Sequence, residues 1–181
     1  MARVFIGIGS NLGDRQATLA ATRQALSQLP QSTLTGWSRI YETDPVGPVP
    51  QGKYLNAAAA LETALEPLVL LGHLSEIEQR SGRLPQDQRI KWGPRTLDLD
   101  VLLYGDLVIS KDELVIPHPL MHERWFVLKP LADLDAGAVH PLLEMTVGDL
   151  LKYVDQDGQG APAPLQGRSP SQKPPGESGS P

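Results

Sequence analysis

The sequence predicts one mixed domain of helices and strands over residues 1–154, followed by a tail of different character over residues 155–181. Three observations carry this reading. From Leu97 to Tyr104 the odd positions (Leu97, Leu99, Val101, Leu103) are all apolar, while the even ones begin with Asp98 and Asp100 and continue with Leu102 and Tyr104, which is the period of a β-strand. Leu19, Leu26 and Leu29, and then Leu68, Leu71, Leu74 and Ile77, recur at helical spacing. Beyond Asp155 the chain holds six Pro, five Gly and four Ser, no aromatic residue, and only Leu165 as a large aliphatic. Such a segment cannot bury enough apolar surface to offset its ordering entropy, so residues 155–181 are expected to be a disordered tail.

Arg3 to Ile8 reads as a short strand that ends in Gly7-Ile8-Gly9-Ser10-Asn11-Leu12-Gly13-Asp14. Leu12 stands where a dinucleotide fingerprint needs glycine, so the Rossmann reading is rejected. Ser10 or Asn11 can cap the helix that follows, with Asp14 in its first turn, and Pro30 closes it. Thr33 to Glu42 is rich in residues that suit a strand. It runs into residues 43–52, whose three prolines and two glycines make a long, irregular connection. Tyr54 to Leu65 contains four successive alanines that favour helix, yet its apolar residues alternate, and it is read as a strand. Pro67 opens a helix that Gly82 ends, and Glu78 lies near its buried edge. Residues 82–90 are polar and unpatterned, the profile of a mobile loop carrying Arg83 and Arg89. Val108 to Ile116 reads as a small hairpin, Pro117-His118-Pro119 as a rigid corner, and His122 to Leu131 and Thr146 to Val154 as helices.

Composition bounds the function. A net charge of −5 opposes a nucleic-acid or anionic-membrane surface, and the absence of cysteine removes disulfide, thiolate and zinc-knuckle chemistry. No run of apolar residues reaches the length of a membrane span, and glycines interrupt the start where a signal peptide needs its apolar core. A cytoplasmic, soluble, monomeric protein without nucleic-acid or membrane partners is expected.

Against this acidic background, Arg80, Arg83, Arg89, Lys91 and Arg95 crowd into sixteen residues with only Asp87 to oppose them, directly before Asp98 and Asp100. Residues two apart on a strand are separated by roughly 6.6 Å and point the same way, close enough for two carboxylates to serve a shared pair of cations. Oxygen donors without cysteine favour Mg²⁺. Cations beside such a pair suit a polyphosphate, whose oxygens take up arginine and lysine directly and metal through their bridging charge.

Trp92-Gly-Pro-Arg-Thr-Leu-Asp-Leu-Asp100 resembles the motif of the 6-hydroxymethyl-7,8-dihydropterin pyrophosphokinases of folate biosynthesis. Three further blocks agree in order and spacing: Val4 to Asp14, Tyr41 to Pro48 with Tyr54 to Ala58, and Ile116 to Leu131. The resemblance implies an α+β domain of ferredoxin-like type, a mostly antiparallel sheet with helices packed on it. It implies transfer of pyrophosphate from ATP to the hydroxymethyl group of the dihydropterin, with release of AMP. Asp98 and Asp100 would hold two Mg²⁺ ions, and Arg83 and Arg95 would contact the transferred phosphates. Thr43, Val46, Tyr54, Asn56 and Phe126 would form the pterin pocket. Glu78, Arg89, Lys91, Trp92, Arg95, Val101, His118 and Arg124 would serve ATP. Ser75, Lys91 and Pro119-Leu120 depart from the family pattern and bear on nucleotide contacts. Two rival readings stand beside this one: a ferredoxin-like nucleic-acid-binding module, which the acidic balance and few aromatics oppose, and a pterin-binding protein without catalysis, which the intact acidic pair opposes.

Overall fold

A computed structural model of the chain describes residues 1–83 and 93–154. β1 (Ala2–Ser10) leads into α1 (Arg15–Ser27), β2 (Ser32–Trp37), β3 (Tyr41–Thr43) and β4 (Tyr54–Thr63), and α2 (Pro67–Arg80) then returns the chain to β5 (Asp98–Tyr104). The strands lie in the order β2-β4-β1-β5, with β3 also paired to β4, and every pairing is antiparallel. This order is that of the expected ferredoxin-like sheet. It leaves β5 at an edge.

Both faces of the sheet are covered. Ile6 and Ile8 of β1 with Ala57, Ala59 and Leu61 of β4 pack on Leu19 and Leu26 of α1 and Leu70, Leu74 and Ile77 of α2. On the other face Phe5, Ala60, Leu102 and Leu103 meet Leu128 and Leu131 of α3 (Trp125–Asp135) and Val147 and Leu150 of α4 (Val147–Tyr153). The alanine run of β4 is thus buried between two helical layers, and burial overrides its helical propensity.

Several local expectations are corrected. The alternation of β5 breaks because Phe5 pairs with Leu103 while Ile6 pairs with Val101, leaving Leu102 as the extra residue of a bulge. Leu102 and Leu103 therefore both join the α3–α4 side, and Tyr104 joins the α1–α2 side. The cap of α1 is Asp14, whose carboxylate accepts from the Ala17 amide; Ser10 belongs to β1 and Asn11 bonds elsewhere. The stretch 33–42 is two strands, because Ser38 interrupts it: its Oγ accepts from the Ala58 amide at 2.8 Å. On α2 the buried stripe is Leu70, Leu74, Ile77 and Glu78, with Leu68 exposed. The hairpin of β6 (Ile109–Lys111) and β7 (Leu114–Ile116) is as expected, whereas α3 starts only at Trp125, after a 3-10 turn at Met121–Glu123. The short hairpin of β8 (Val139–His140) and β9 (Met145–Thr146) has no signal in the sequence. Among the described residues no helix is long and apolar enough to cross a membrane. The tail expectation, 155–181, lies outside the described residues.

His140 gives this hairpin a pH dependence. Its ring is buried and its Nδ1 accepts from the Leu143 amide at 3.2 Å. Burial, then the neighbouring His122, lowers its pKa from 6.5 to about 4. The unfolded chain takes up a proton below pH 6.5 that the folded protein refuses, so His140 withdraws stability as pH falls from 6.5 towards 4, by up to about 3 kcal/mol. Denaturant midpoints at pH 7.5 and 4.5 should show a smaller acid-side loss in His140→Asn than in the parent chain. An equal loss in both would contradict this.

Candidate active site

The edge position of β5 makes the site. Asp98 and Asp100 project from one face of it into a cleft of about 230 Å³. Its floor is β1, where Gly9 pairs with Asp98 and Gly7 with Asp100. A Cβ on Gly9 would stand within 4.0 Å of Tyr54, Asn56 and Asp98, so glycine keeps the floor flat between the acids and the aromatic wall. Thr43, Val46, Tyr54, Asn56 and Phe126 line the cleft together with Arg95, His118 and Arg124. Asn56 is buried, and its Nδ2 donates to Thr43 Oγ1 at 2.7 Å. The Arg124 guanidinium lies over the Phe126 ring, 5.7 Å from its centre.

The two acids differ in their company. Asp98 is clamped: Arg95 Nη1 stands 2.5 Å from its Oδ2, and Arg83 Nη2 stands 2.9 Å from its Oδ1. Among the described residues no Lys or Arg comes within 4.0 Å of Asp100; His118 Nε2 lies 4.0 Å from its Oδ2. Burial at the foot of the cleft, then the charges of Asp98 and Glu78, push the Asp100 pKa up to about 7. The 45% of its side chain that stays open moderates the burial effect. A carboxylate so reluctant to ionise gains more than an ordinary one from a bound cation. His118 is held beside it by its own amide, which donates to Leu102 O at 3.0 Å. Its Nδ1 accepts from the Leu120 amide at 3.2 Å, which leaves its proton on Nε2, facing the acids. Burial, then the charge of Arg124, lowers its pKa to about 4, so it is a neutral donor at neutral pH.

The donor set fits magnesium. Among the described residues no three His, Cys, Asp or Glu converge as a closed cage. Two carboxylates facing an open cleft suit a hard cation that takes its remaining oxygens from phosphate and water.

Most residues named from the sequence therefore come together. Glu78, Val101 and Arg83 do not line the cleft: Val101 is packed in the core on the opposite face of β5, Glu78 is turned towards Leu99 and Arg83, and the buried Arg83 guanidinium is tied to Glu78 and Asp98. Arg89, Lys91 and Trp92 lie outside the described residues, as does most of the expected loop 82–90. Asn11, expected as a helix cap, serves the site instead. Its Oδ1 accepts from the Arg95 amide at 2.8 Å while its Nδ2 donates to Gln51 and to Gly52 O, tying the 43–52 connection to the segment that carries Arg95. The signal for this role in the sequence is its place inside the block Val4 to Asp14.

Residues 5–136 match the 7,8-dihydro-6-hydroxymethylpterin-pyrophosphokinase (HPPK) family. The chain belongs to this family. It is 44% identical over 132 residues to the 2-amino-4-hydroxy-6-hydroxymethyldihydropteridine pyrophosphokinase of Pseudomonas aeruginosa, covering 73% of this chain and 80% of that one. It is 43% identical over 155 residues to the protein of the same name from Haemophilus influenzae, covering 86% and 95%. Among solved structures the wild-type HPPK-DHPS of Plasmodium falciparum matches with a TM-score of 0.65 over 84% of this chain, at 15% identity; the chain spans 45% of that longer protein, and the likeness is one of fold. As an HPPK, the chain is an ATP-dependent pyrophosphokinase of folate biosynthesis.

Proposed function

We propose that the cleft binds 6-hydroxymethyl-7,8-dihydropterin between Thr43, Val46, Tyr54, Asn56 and Phe126, and ATP along Arg95, His118 and Arg124, with two Mg²⁺ ions held by Asp98 and Asp100 between them. The observation that carries this is that one cleft is lined together by the two acids, by Tyr54, Asn56 and Phe126, and by Arg95, His118 and Arg124. Magnesium bound there would supply positive charge to the phosphate oxygens and to the attacking hydroxymethyl oxygen. The chain supplies the rest. Asn56, oriented by Thr43, offers its remaining polar atoms to the pterin edge. Tyr54 and Phe126 exclude water from the ring, and the flat Gly9 floor lets the hydroxymethyl group approach the acids. Arg95 and Arg124 take up charge on the transferred pyrophosphate, and neutral His118 donates from Nε2. Arg89, Lys91 and Trp92 are assigned to the nucleotide side on the family pattern. The enzyme acts as a cytoplasmic monomer.

Incubation with Mg²⁺, ATP and the hydroxymethyl-dihydropterin should release AMP and the pterin pyrophosphate, resolved by ion-exchange chromatography. ADP as the sole nucleotide product would refute the reading. Replacing Phe126 with Ala should raise the KM for the pterin about tenfold and leave the KM for ATP within a factor of about two, since one ring face is worth about 1 kcal/mol beyond its area. A matched rise in both constants would place Phe126 elsewhere in the mechanism.

A further inference from the structure

The backbone between the two acids is secured from outside the sheet. β5 is an edge strand, and the Leu99 amide, flanked by Asp98 and Asp100, is bonded by a side chain: it donates to Glu78 Oε1 at 2.7 Å. The same oxygen meets Arg83 Nη1, while Arg83 Nη2 reaches Asp98 Oδ1 at 2.9 Å. The chain holds the two partners together as well, since the Arg83 amide donates to Glu78 O at 3.1 Å across the turn that ends α2. Glu78 is only 6% exposed and does not line the cleft, in a helix stripe otherwise made of Leu70, Leu74 and Ile77. An apolar residue there would avoid the desolvation of a carboxylate, so the acid needs a reason beyond packing.

Charge supplies one. Without Glu78, Asp98 would face Arg83 and Arg95 alone and its attraction for a cation would be spent on them. With Glu78, two acids balance two arginines, and Asp98 with its neighbour Asp100 keeps a surplus of negative charge facing the cleft. We infer that Glu78 is a positioning residue for the cation site: it fixes the spacing of Asp98 and Asp100 through the Leu99 amide and engages Arg83 so that Asp98 stays available to the metal. This rests on the reading that Asp98 and Asp100 hold magnesium, and it reassigns Glu78 from the nucleotide to the strand.

Two variants of the full chain separate the parts. Glu78→Gln keeps an acceptor for Leu99 and loses the charge; Glu78→Ala loses both. In ligand-free protein, amide exchange followed by NMR should show Leu99 losing protection in Glu78→Ala and keeping it in Glu78→Gln, a pattern that a nucleotide contact would not produce. With α,β-methylene ATP present, Mn²⁺ affinity measured by EPR should fall at least about tenfold in Glu78→Gln, the range seen when partners of metal ligands are replaced. Unchanged Mn²⁺ affinity in Glu78→Gln overturns the inference, as does unchanged Leu99 exchange in Glu78→Ala. Should Glu78→Ala not fold, Glu78→Gln decides alone. A parent chain that takes up no Mn²⁺ overturns the site reading itself, and this inference with it.

Discussion

Asp100→Asn is expected to lower turnover by on the order of 10³-fold, the scale of removing one charge-stabilising group from a reacting phosphate, while the folded state loses nothing. The asymmetry follows from the surroundings of the two acids. Asp100 has no Lys or Arg within 4.0 Å among the described residues, and its pKa is raised to about 7 by burial and by its carboxylate neighbours. Neutralising it relieves repulsion in the unliganded protein, so the denaturant midpoint should stay constant or rise. Asp98→Asn should show the same catalytic loss with a lower midpoint, because Arg83 and Arg95 lose the carboxylate they share. Steady-state kinetics and equilibrium unfolding on the two variants check both halves. Full activity in Asp100→Asn, or equal destabilisation by the two substitutions, would be inconsistent with these assignments.

Arg83→Ala should be the most destabilising change at the site. Arg83 and Glu78 expose only 12% and 8% of their side chains, and Asp98 completes the group. Removing the central cation leaves Glu78 buried without its counter-charge, which costs about 3–5 kcal/mol. For a domain of this size that is a fall in Tm of roughly 10 °C. Adding Glu78→Gln to Arg83→Ala should recover a large part of the loss, because a neutral amide needs no counter-ion and still accepts from Leu99. Calorimetry on the two single variants and the double one tests this. Additive losses would mean that the pair is not coupled.

The sequence made much of this arrangement legible, and the limits were physical. The period-2 run of β5 announced both the strand and the shared direction of its acids, because a half-buried strand must alternate. It could not announce the bulge at Leu102, which depends on how β1 pairs with it. The alanines of β4 were ambiguous because propensity and burial pull in opposite directions, and only the two helical layers resolve them. The cleft residues were found through the resemblance more than through pattern, since Tyr54, Asn56, His118 and Phe126 lie far apart in sequence and meet only through strand pairing and the corner at Pro117-His118-Pro119. Glu78 could be placed near a buried edge, yet its partner is a backbone amide, which carries no mark in the sequence.

On the proposed function, Asp98 and Asp100 hold the divalent metal against the nucleotide. Crystals grown with MnCl₂ and α,β-methylene ATP test it by anomalous scattering at the manganese edge. Manganese is expected to bond at about 2.0–2.2 Å to carboxylate oxygens of both residues and to phosphate oxygens. Manganese bound to the phosphates alone, with both carboxylates still tied to arginine or turned from the nucleotide, would contradict it.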